Sequence, residues 1–86
     1  MKEVKMFYLE SCPHCKRARK MVEALKTKNP EYSGVEIEMI EESQNVQAAN
    51  AHDYYYVPAF YVGGVKVHEG VPTFEKIENV LKEAIK

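Results

Sequence analysis

The sequence predicts an α/β fold in which three helices pack against one four-stranded mixed sheet, in the chain order βαβαββα. Two observations lead to this prediction. Short apolar runs alternate with segments of helical periodicity through the first half of the chain, and the pair Gly63-Gly64 joins two alternating runs near its end. With 86 residues, the chain supports one domain, residues 1–86, with one modest core.

The first half of the chain predicts a βαβ unit. Residues 4–9 form an apolar run without Gly or Pro, which is typical of a short strand buried on both faces. Apolar residues then recur at helical spacing from Pro13 to about Asn29, and Pro13 suits a first helical turn because its missing N–H has no partner there. The alternation of residues 35–40 predicts a second strand, reached by a right-handed crossover.

The second half predicts a helix, a hairpin and a final helix. Residues 41–53 are weakly amphipathic, with Ser43 as the expected N-cap. Residues 59–62 and 65–69 are expected to pair as a hairpin around the two glycines. The last helix is expected to begin after Thr73, its N-cap, and its apolar positions are Phe74, Ile77, Val80, Leu81, Ala84 and Ile85.

Charge and hydropathy argue against several classes of function. Twelve Lys and Arg residues against thirteen Asp and Glu residues leave a net charge of −1, which is too balanced to indicate binding to nucleic acid or to an anionic membrane. Neither a signal peptide nor a membrane span can be drawn, so we expect a cytoplasmic protein. The basic residues of the first helix are interpreted as a solvated face, with attraction of an acidic protein partner as the weaker alternative.

Both cysteines of the chain lie at the predicted junction of the first strand and the first helix, in the stretch Ser11-Cys12-Pro13-His14-Cys15. Two sulfurs three positions apart on one helical turn can form a disulfide and can attack in sequence. In a reducing compartment such a pair is expected to react rather than to brace the fold.

The two cysteines are expected to have unequal roles. Cys12 would be the attacking thiolate because the N-terminus of a helix favours negative charge, and Cys15 would be the more buried thiol that resolves the mixed disulfide. Pro13 and His14 are expected to tune the thiols, His14 by placing positive charge near Cys12 when it is protonated. Glu10 would oppose that effect by repelling the thiolate.

Two other functions stay open at this point. The cysteine pair would supply half of a metal site, for which the remaining candidate ligands are His14, His52 and His68, although we predict no bound metal. Alternatively, the chain would be a redox-regulated interaction domain, since a fold does not fix a function. Outside a metal site, His52 is expected to cap a helix end and His68 to lie on a strand face.

With this motif on a βαβ unit, the chain resembles the thioredoxin superfamily, and by its size it is most similar to glutaredoxins and glutaredoxin-like small oxidoreductases. The resemblance rests on the strand ending at Tyr8, on the cysteine motif, on Val57-Pro58 before the hairpin and on Gly70 after it. It implies a thioredoxin-like fold of glutaredoxin type and a thiol-disulfide oxidoreductase with no bound cofactor. It also implies a cis peptide bond at Val57-Pro58 that faces the cysteines.

On the basis of this resemblance, substrate binding is assigned to Tyr8, Tyr56, Val57, Pro58 and Gly70. The expected substrate is a disulfide in a protein or in a small molecule. The expected electron donor is glutathione or a flavoenzyme of the thioredoxin-reductase type, and the protein is expected to be a monomer. Tyr54, Tyr55 and Tyr56 are interpreted either as an aromatic wall beside the thiols or as core and loop packing.

Overall fold

The computed structural model describes residues 1–86 and contains four strands and three helices in the predicted order. The strands are β1 (Val4–Tyr8), β2 (Ile37–Glu41), β3 (Ala59–Val62) and β4 (Val65–Glu69). The helices are α1 (Pro13–Lys28), α2 (Val46–Asn50) and α3 (Phe74–Ile85). The predicted α/β fold class is therefore confirmed.

The four strands form one mixed sheet in the spatial order β2-β1-β3-β4. β1 runs parallel to β2 and antiparallel to β3, and β3 pairs antiparallel with β4. The β3–β4 turn is formed by Gly63 and Gly64, whose φ angles of 57° and 83° lie in the region that favours glycine. The sequence prediction of a hairpin at this pair is confirmed.

Helices cover both faces of the sheet, so that β1 and β3 contribute to two apolar clusters. The larger cluster lies between the sheet, α1 and α3, and it includes Met6, Cys15, Val22, Phe60 and Leu81. The smaller one lies on the face covered by α2, and its buried members are Phe7, Ile40, Ala59 and Tyr61. Because α1 is anchored by side chains of the larger cluster, its first turn is held beside the end of β1.

The α1–β2 connection is tied to α3 by a buried tyrosine that sequence reasoning did not single out. Tyr32 lies in a short 3-10 turn, Pro30–Tyr32, and its side chain is only 2% exposed. Its hydroxyl donates a hydrogen bond of 2.9 Å to Oε2 of Glu78. Burial, followed by this carboxylate, raises the pKa of Tyr32 to about 12.

The second helix is shorter than predicted, and the expected Ser43 N-cap is wrong. Residues 42–44 form a separate 3-10 turn, and α2 begins only at Val46. The hydroxyl of Ser43 donates to Oε1 of Glu41 at 2.6 Å, and the Ser43 backbone N–H donates to the same oxygen at 2.6 Å. The carboxylate of Glu41 therefore takes the capping role that the sequence suggested for Ser43.

At the other end of the chain the expected N-cap of α3 is confirmed, since Oγ1 of Thr73 accepts a hydrogen bond from the Lys76 backbone N–H at 3.1 Å. β2 begins two residues later than the alternation suggested, and Val35 is fully buried just outside the strand. None of the helices has the length and apolar character needed to span a membrane.

Candidate active site

Cys12 is the N-cap residue of α1, so it lies at the helix N-terminus that the sequence predicted for it. Its backbone is extended (φ −82°, ψ 115°), and Pro13 is the first helical residue. The Sγ atom of Cys12 accepts a hydrogen bond of 3.3 Å from the backbone N–H of Cys15. A sulfur in this position lies at the positive end of the helix dipole and binds one of the N–H groups that the helix leaves unpaired.

Cys15 lies one turn further along and is buried in the larger cluster, with only 1% of its surface exposed. Both cysteines are free thiols, and Cys12 is the more exposed of the two. Burial, followed by the hydrogen bond with Cys12, raises the pKa of the Cys15 thiol far above its ordinary value. The sulfur of Cys12 is thus more accessible to solvent than that of Cys15, and the raised pKa keeps the Cys15 thiol protonated.

His14 is hydrogen-bonded along the helix. Its Nδ1 lies 2.9 Å from a guanidinium nitrogen of Arg17. Because a guanidinium has only donors, Nδ1 accepts this bond, and the ring hydrogen of a neutral imidazole is then on Nε2. The side-chain partner of His14 is therefore Arg17, and the expected role of Pro13 and His14 in tuning the thiols stays a prediction.

The segment that leads into β3, together with Gly70, forms a second side of the site, which we call the wall (Tyr56, Val57, Pro58 and Gly70). The Val57-Pro58 peptide bond is cis, as the resemblance implied, and Pro58 is buried. Gly70 lies beside it, since its backbone N–H donates to the Pro58 carbonyl oxygen at 3.0 Å. Gly70 also lies beside Tyr56, because a Cβ atom at Gly70 would be 3.8 Å from that of Tyr56.

This wall shares its packing with the cysteines. Tyr8, Cys12 and Val57 are partly buried and pack against the larger cluster, of which Cys15 is a member. The structure therefore brings the predicted substrate-binding residues Tyr8 and Val57 to the cluster that holds the thiols, and it places Tyr56, Pro58 and Gly70 together next to Val57. Their role in substrate binding stays a prediction.

The loop before the cis bond is held by Glu69, a residue that sequence reasoning missed. Its Oε2 atom accepts hydrogen bonds from the backbone N–H groups of Tyr55 (2.8 Å) and Tyr56 (3.1 Å). The ammonium group of Lys66 donates to Oε1 at 2.6 Å. The Lys66 ammonium, followed by the Tyr55 N–H, lowers the pKa of Glu69 to about 2. Glu69 therefore fixes the backbone of the loop that leads to Val57-Pro58.

A second carboxylate holds the loop before Cys12. Oε2 of Glu41, at the end of β2, accepts a hydrogen bond of 3.1 Å from the Glu10 backbone N–H. Oε1 of Glu10 in turn accepts a hydrogen bond of 3.3 Å from the hydroxyl of Tyr8. The sequence offers a signal only for Glu69, which ends the predicted strand of residues 65–69 beside the predicted site, because Glu41 falls in the predicted helix of residues 41–53.

The three consecutive tyrosines divide between the two interpretations. Tyr54 is internal: its ring lies 5.0 Å from that of Phe7, and its hydroxyl donates to Oε1 of Glu42 at 2.6 Å. Tyr55 and Tyr56 are 83% and 69% exposed. Of the three, Tyr56 is thus the residue that is both exposed and next to Gly70.

The histidines outside the motif have structural partners. Nδ1 of His52 lies 2.7 Å from the Ala48 carbonyl oxygen at the end of α2, as expected of a helix-capping residue. His68 is buried on β4, with Nε2 lying 3.1 Å from the Gly70 carbonyl oxygen. No three His, Cys, Asp or Glu side chains are grouped so that they could hold a metal ion.

The family model described as "Thioredoxin domain" matches residues 2–82, which is nearly the whole chain. The chain belongs to the thioredoxin family. It is 29% identical over 83 residues to a protein named thioredoxin from Methanocaldococcus jannaschii, and the match covers 96% of this chain and 95% of that protein. The prediction of the thioredoxin superfamily is confirmed, whereas the glutaredoxin-like subtype stays a prediction.

Solved thioredoxin structures have the same fold. A mutant thioredoxin from Halobacterium salinarum superimposes with a TM-score of 0.70 at 19% sequence identity, over 99% of this chain and 75% of that one. The oxidised thioredoxin from Plasmodium falciparum superimposes with a TM-score of 0.72 at 16% identity, over 99% of this chain and 82% of that one. These two similarities support the thioredoxin-like fold.

Proposed function

We propose that the protein is a dithiol-disulfide oxidoreductase in which Cys12 attacks and Cys15 resolves. The Cys12 thiolate attacks one sulfur of a substrate disulfide, and the other substrate sulfur leaves and takes up a proton. Cys15 then loses its proton and attacks the Cys12 sulfur. A Cys12–Cys15 disulfide forms, the second substrate thiol is released, and two electrons have passed to the substrate.

The observation that supports this proposal is the inequality of the two sulfurs. Cys12 is partly exposed at a helix N-terminus, where its sulfur accepts a hydrogen bond from the Cys15 backbone N–H. The Cys15 side chain is buried, and this burial raises the pKa of its thiol. A buried, protonated thiol is a poor first nucleophile. It is nevertheless well placed to attack a sulfur bonded to its neighbour on the same helical turn.

For the electron donor we propose a flavoenzyme of the thioredoxin-reductase type rather than glutathione. Glutaredoxins commonly have a basic residue before the cysteine pair and a Gly-Gly-acidic stretch after the hairpin, positions that bind the carboxylates of glutathione. The corresponding segments here are Leu9-Glu10-Ser11 and Gly70-Val71-Pro72, and Glu10 is exposed. Its negative charge would repel those carboxylates.

We also propose that the protein acts as a cytoplasmic monomer.

The proposed activity is tested by reduction of insulin disulfides with dithiothreitol as the electron source. We expect the wild-type chain to accelerate the reaction and Cys12→Ser to return it to the uncatalysed rate. Ser33→Ala, an exposed change in the α1–β2 connection, serves as the control and should retain the wild-type rate. Full turnover by Cys12→Ser would exclude this residue as the nucleophile.

The proposed donor is tested by supplying electrons from NADPH in two parallel assays, one through a thioredoxin reductase and one through glutathione and glutathione reductase. The reaction should proceed with the first system and be slow with the second. Faster turnover with glutathione would overturn the proposed donor and favour the glutaredoxin-like subtype. It would leave the dithiol exchange chemistry unaffected.

A further inference from the structure

The net charge of −1 conceals a strong separation of charge. Helix α1 contains six of the twelve Lys and Arg residues and only one of the thirteen Asp and Glu residues, so its net charge is +5. The rest of the chain therefore has a net charge of −6. The basic pole of the molecule is thus the helix that begins with the reactive cysteines.

Four of these cations form a row that starts at the nucleophile. Lys16 lies four residues after Cys12, and Arg19 and Lys20 lie three and four residues after Lys16, so both are neighbours of Lys16 on the helix surface. Lys26 lies seven residues after Arg19, about two turns further along the same side of the helix. All four line a groove between α1 and β2. The Arg19 guanidinium also lies 5.9 Å from the centre of the Tyr8 ring, which links this row to the predicted substrate site.

The floor of the groove is apolar. Val22 of α1 and Ile37 and Met39 of β2 line it, and Met39 is 37% exposed. Two carboxylates, Glu23 and Glu36, lie among the cations. An apolar floor with mixed but mainly positive charge around it suits a protein segment that has both acidic and apolar side chains. It suits a nucleic acid less well, because the carboxylates would repel phosphates.

We propose that the α1–β2 groove docks an acidic segment of the redox partner protein, adjacent to the disulfide that Cys12 attacks. This inference rests on the proposed function and names its substrate class: disulfides flanked by acidic residues. Attraction between the cation row and the acidic segment raises the rate of encounter and orients the disulfide toward Cys12. The proposal adopts the weaker of the two interpretations that the sequence suggested for these residues, attraction of an acidic protein partner.

The test compares two disulfide-bonded peptides that differ only in flanking residues, four Glu in one and four Gln in the other. At low ionic strength we expect kcat/KM for the acidic peptide to be about tenfold higher, and the advantage to vanish at ~1 M salt. Arg19→Gln combined with Lys20→Gln should remove most of the advantage. Lys76→Gln combined with Lys82→Gln, on α3, changes the net charge equally and should preserve it.

The outcomes separate this inference from the proposed function. Hydroxyethyl disulfide is uncharged, so its turnover reports dithiol exchange alone. If the protein reduces it but reduces both peptides at equal rates, the docking inference is wrong and the proposed function stands. If it reduces none of the three, the proposed function itself fails. Stronger inhibition by a single-stranded oligonucleotide than by polyglutamate would show that the groove prefers nucleic acid, which also overturns the inference.

Discussion

Gly70 allows one stability effect to be worked out from the backbone alone. Its φ of +89° is a conformation that side-chain-bearing residues rarely adopt, and its N–H donates to the Pro58 carbonyl oxygen at 3.0 Å. In Gly70→Ala the new Cβ would meet only the Cβ of Tyr56, at an ordinary 3.8 Å. The substitution therefore introduces backbone strain and no clash, at a cost of about 1–2 kcal/mol.

Thermal unfolding of the reduced protein measures this cost. In a domain of this size, a loss of about 1 kcal/mol lowers Tm by roughly 4–8 °C, so we expect Gly70→Ala to melt roughly 4–16 °C below the wild type. Gly34→Ala is the matched control, because Gly34 does not have a positive φ and its added methyl group would meet only the flexible end of Met1, at 3.3 Å. The control should remain within about 0.5 kcal/mol of the wild type.

If Gly70→Ala is as stable as Gly34→Ala, Gly70 does not adopt the positive φ, and the described geometry of this wall is wrong. If Gly70→Ala is less stable and also raises KM for disulfide substrates without changing kcat, then the same backbone position contributes to substrate binding. A chain synthesised with D-alanine at position 70 should recover the lost stability, since a D-residue readily adopts this conformation.

Two further predictions concern residues that hold the loops. Lys66 lowers the pKa of Glu69 to about 2, so the contribution of Glu69 to stability is fully present above the unfolded pKa of about 4.3 and is lost as pH falls toward about 2. The difference in unfolding free energy between wild type and Glu69→Gln should therefore shrink over that pH range. A constant difference would contradict the ion pair. Tyr32→Phe removes the hydrogen bond to Glu78 and should reduce the free energy of unfolding by about 1 kcal/mol. Tyr55→Phe, at an exposed position, should change the free energy of unfolding by less than about 0.5 kcal/mol. Equal effects of the two substitutions would contradict the buried contact of Tyr32.

The parts of the fold that could be predicted are those fixed by local patterns. The helical spacing after Pro13, the two-glycine turn and the Thr73 cap each depend on a few consecutive residues, and the structure has all three. The prediction of one helix over residues 41–53 was wrong because these residues are mostly polar and few apolar side chains anchor them to the core. There a nearby carboxylate, that of Glu41, bound the Ser43 N–H and hydroxyl and shortened the helix.

The candidate site divides in the same way. The positions of Cys12 and Cys15 follow from a helix start and its periodicity, and both could be predicted. The holding roles of Glu41 and Glu69 could not, because they bind backbone N–H groups of residues 31, 13 and 14 positions away in the sequence. The positive charge of α1 could be counted from the sequence, but the net charge of the whole chain hides it because the rest of the chain is acidic.

The central claim is that Cys12 attacks and Cys15 resolves, and trapping of the mixed disulfide tests it most directly. Each single Cys→Ser variant is mixed with a disulfide-bonded peptide, and the covalent adduct is measured by mass spectrometry. Cys15→Ser should accumulate the peptide on Cys12, because the resolving thiol is absent. Cys12→Ser should accumulate little, because Cys15 is buried and protonated. Rapid adduct formation on Cys15 with none on Cys12 would contradict the assignment.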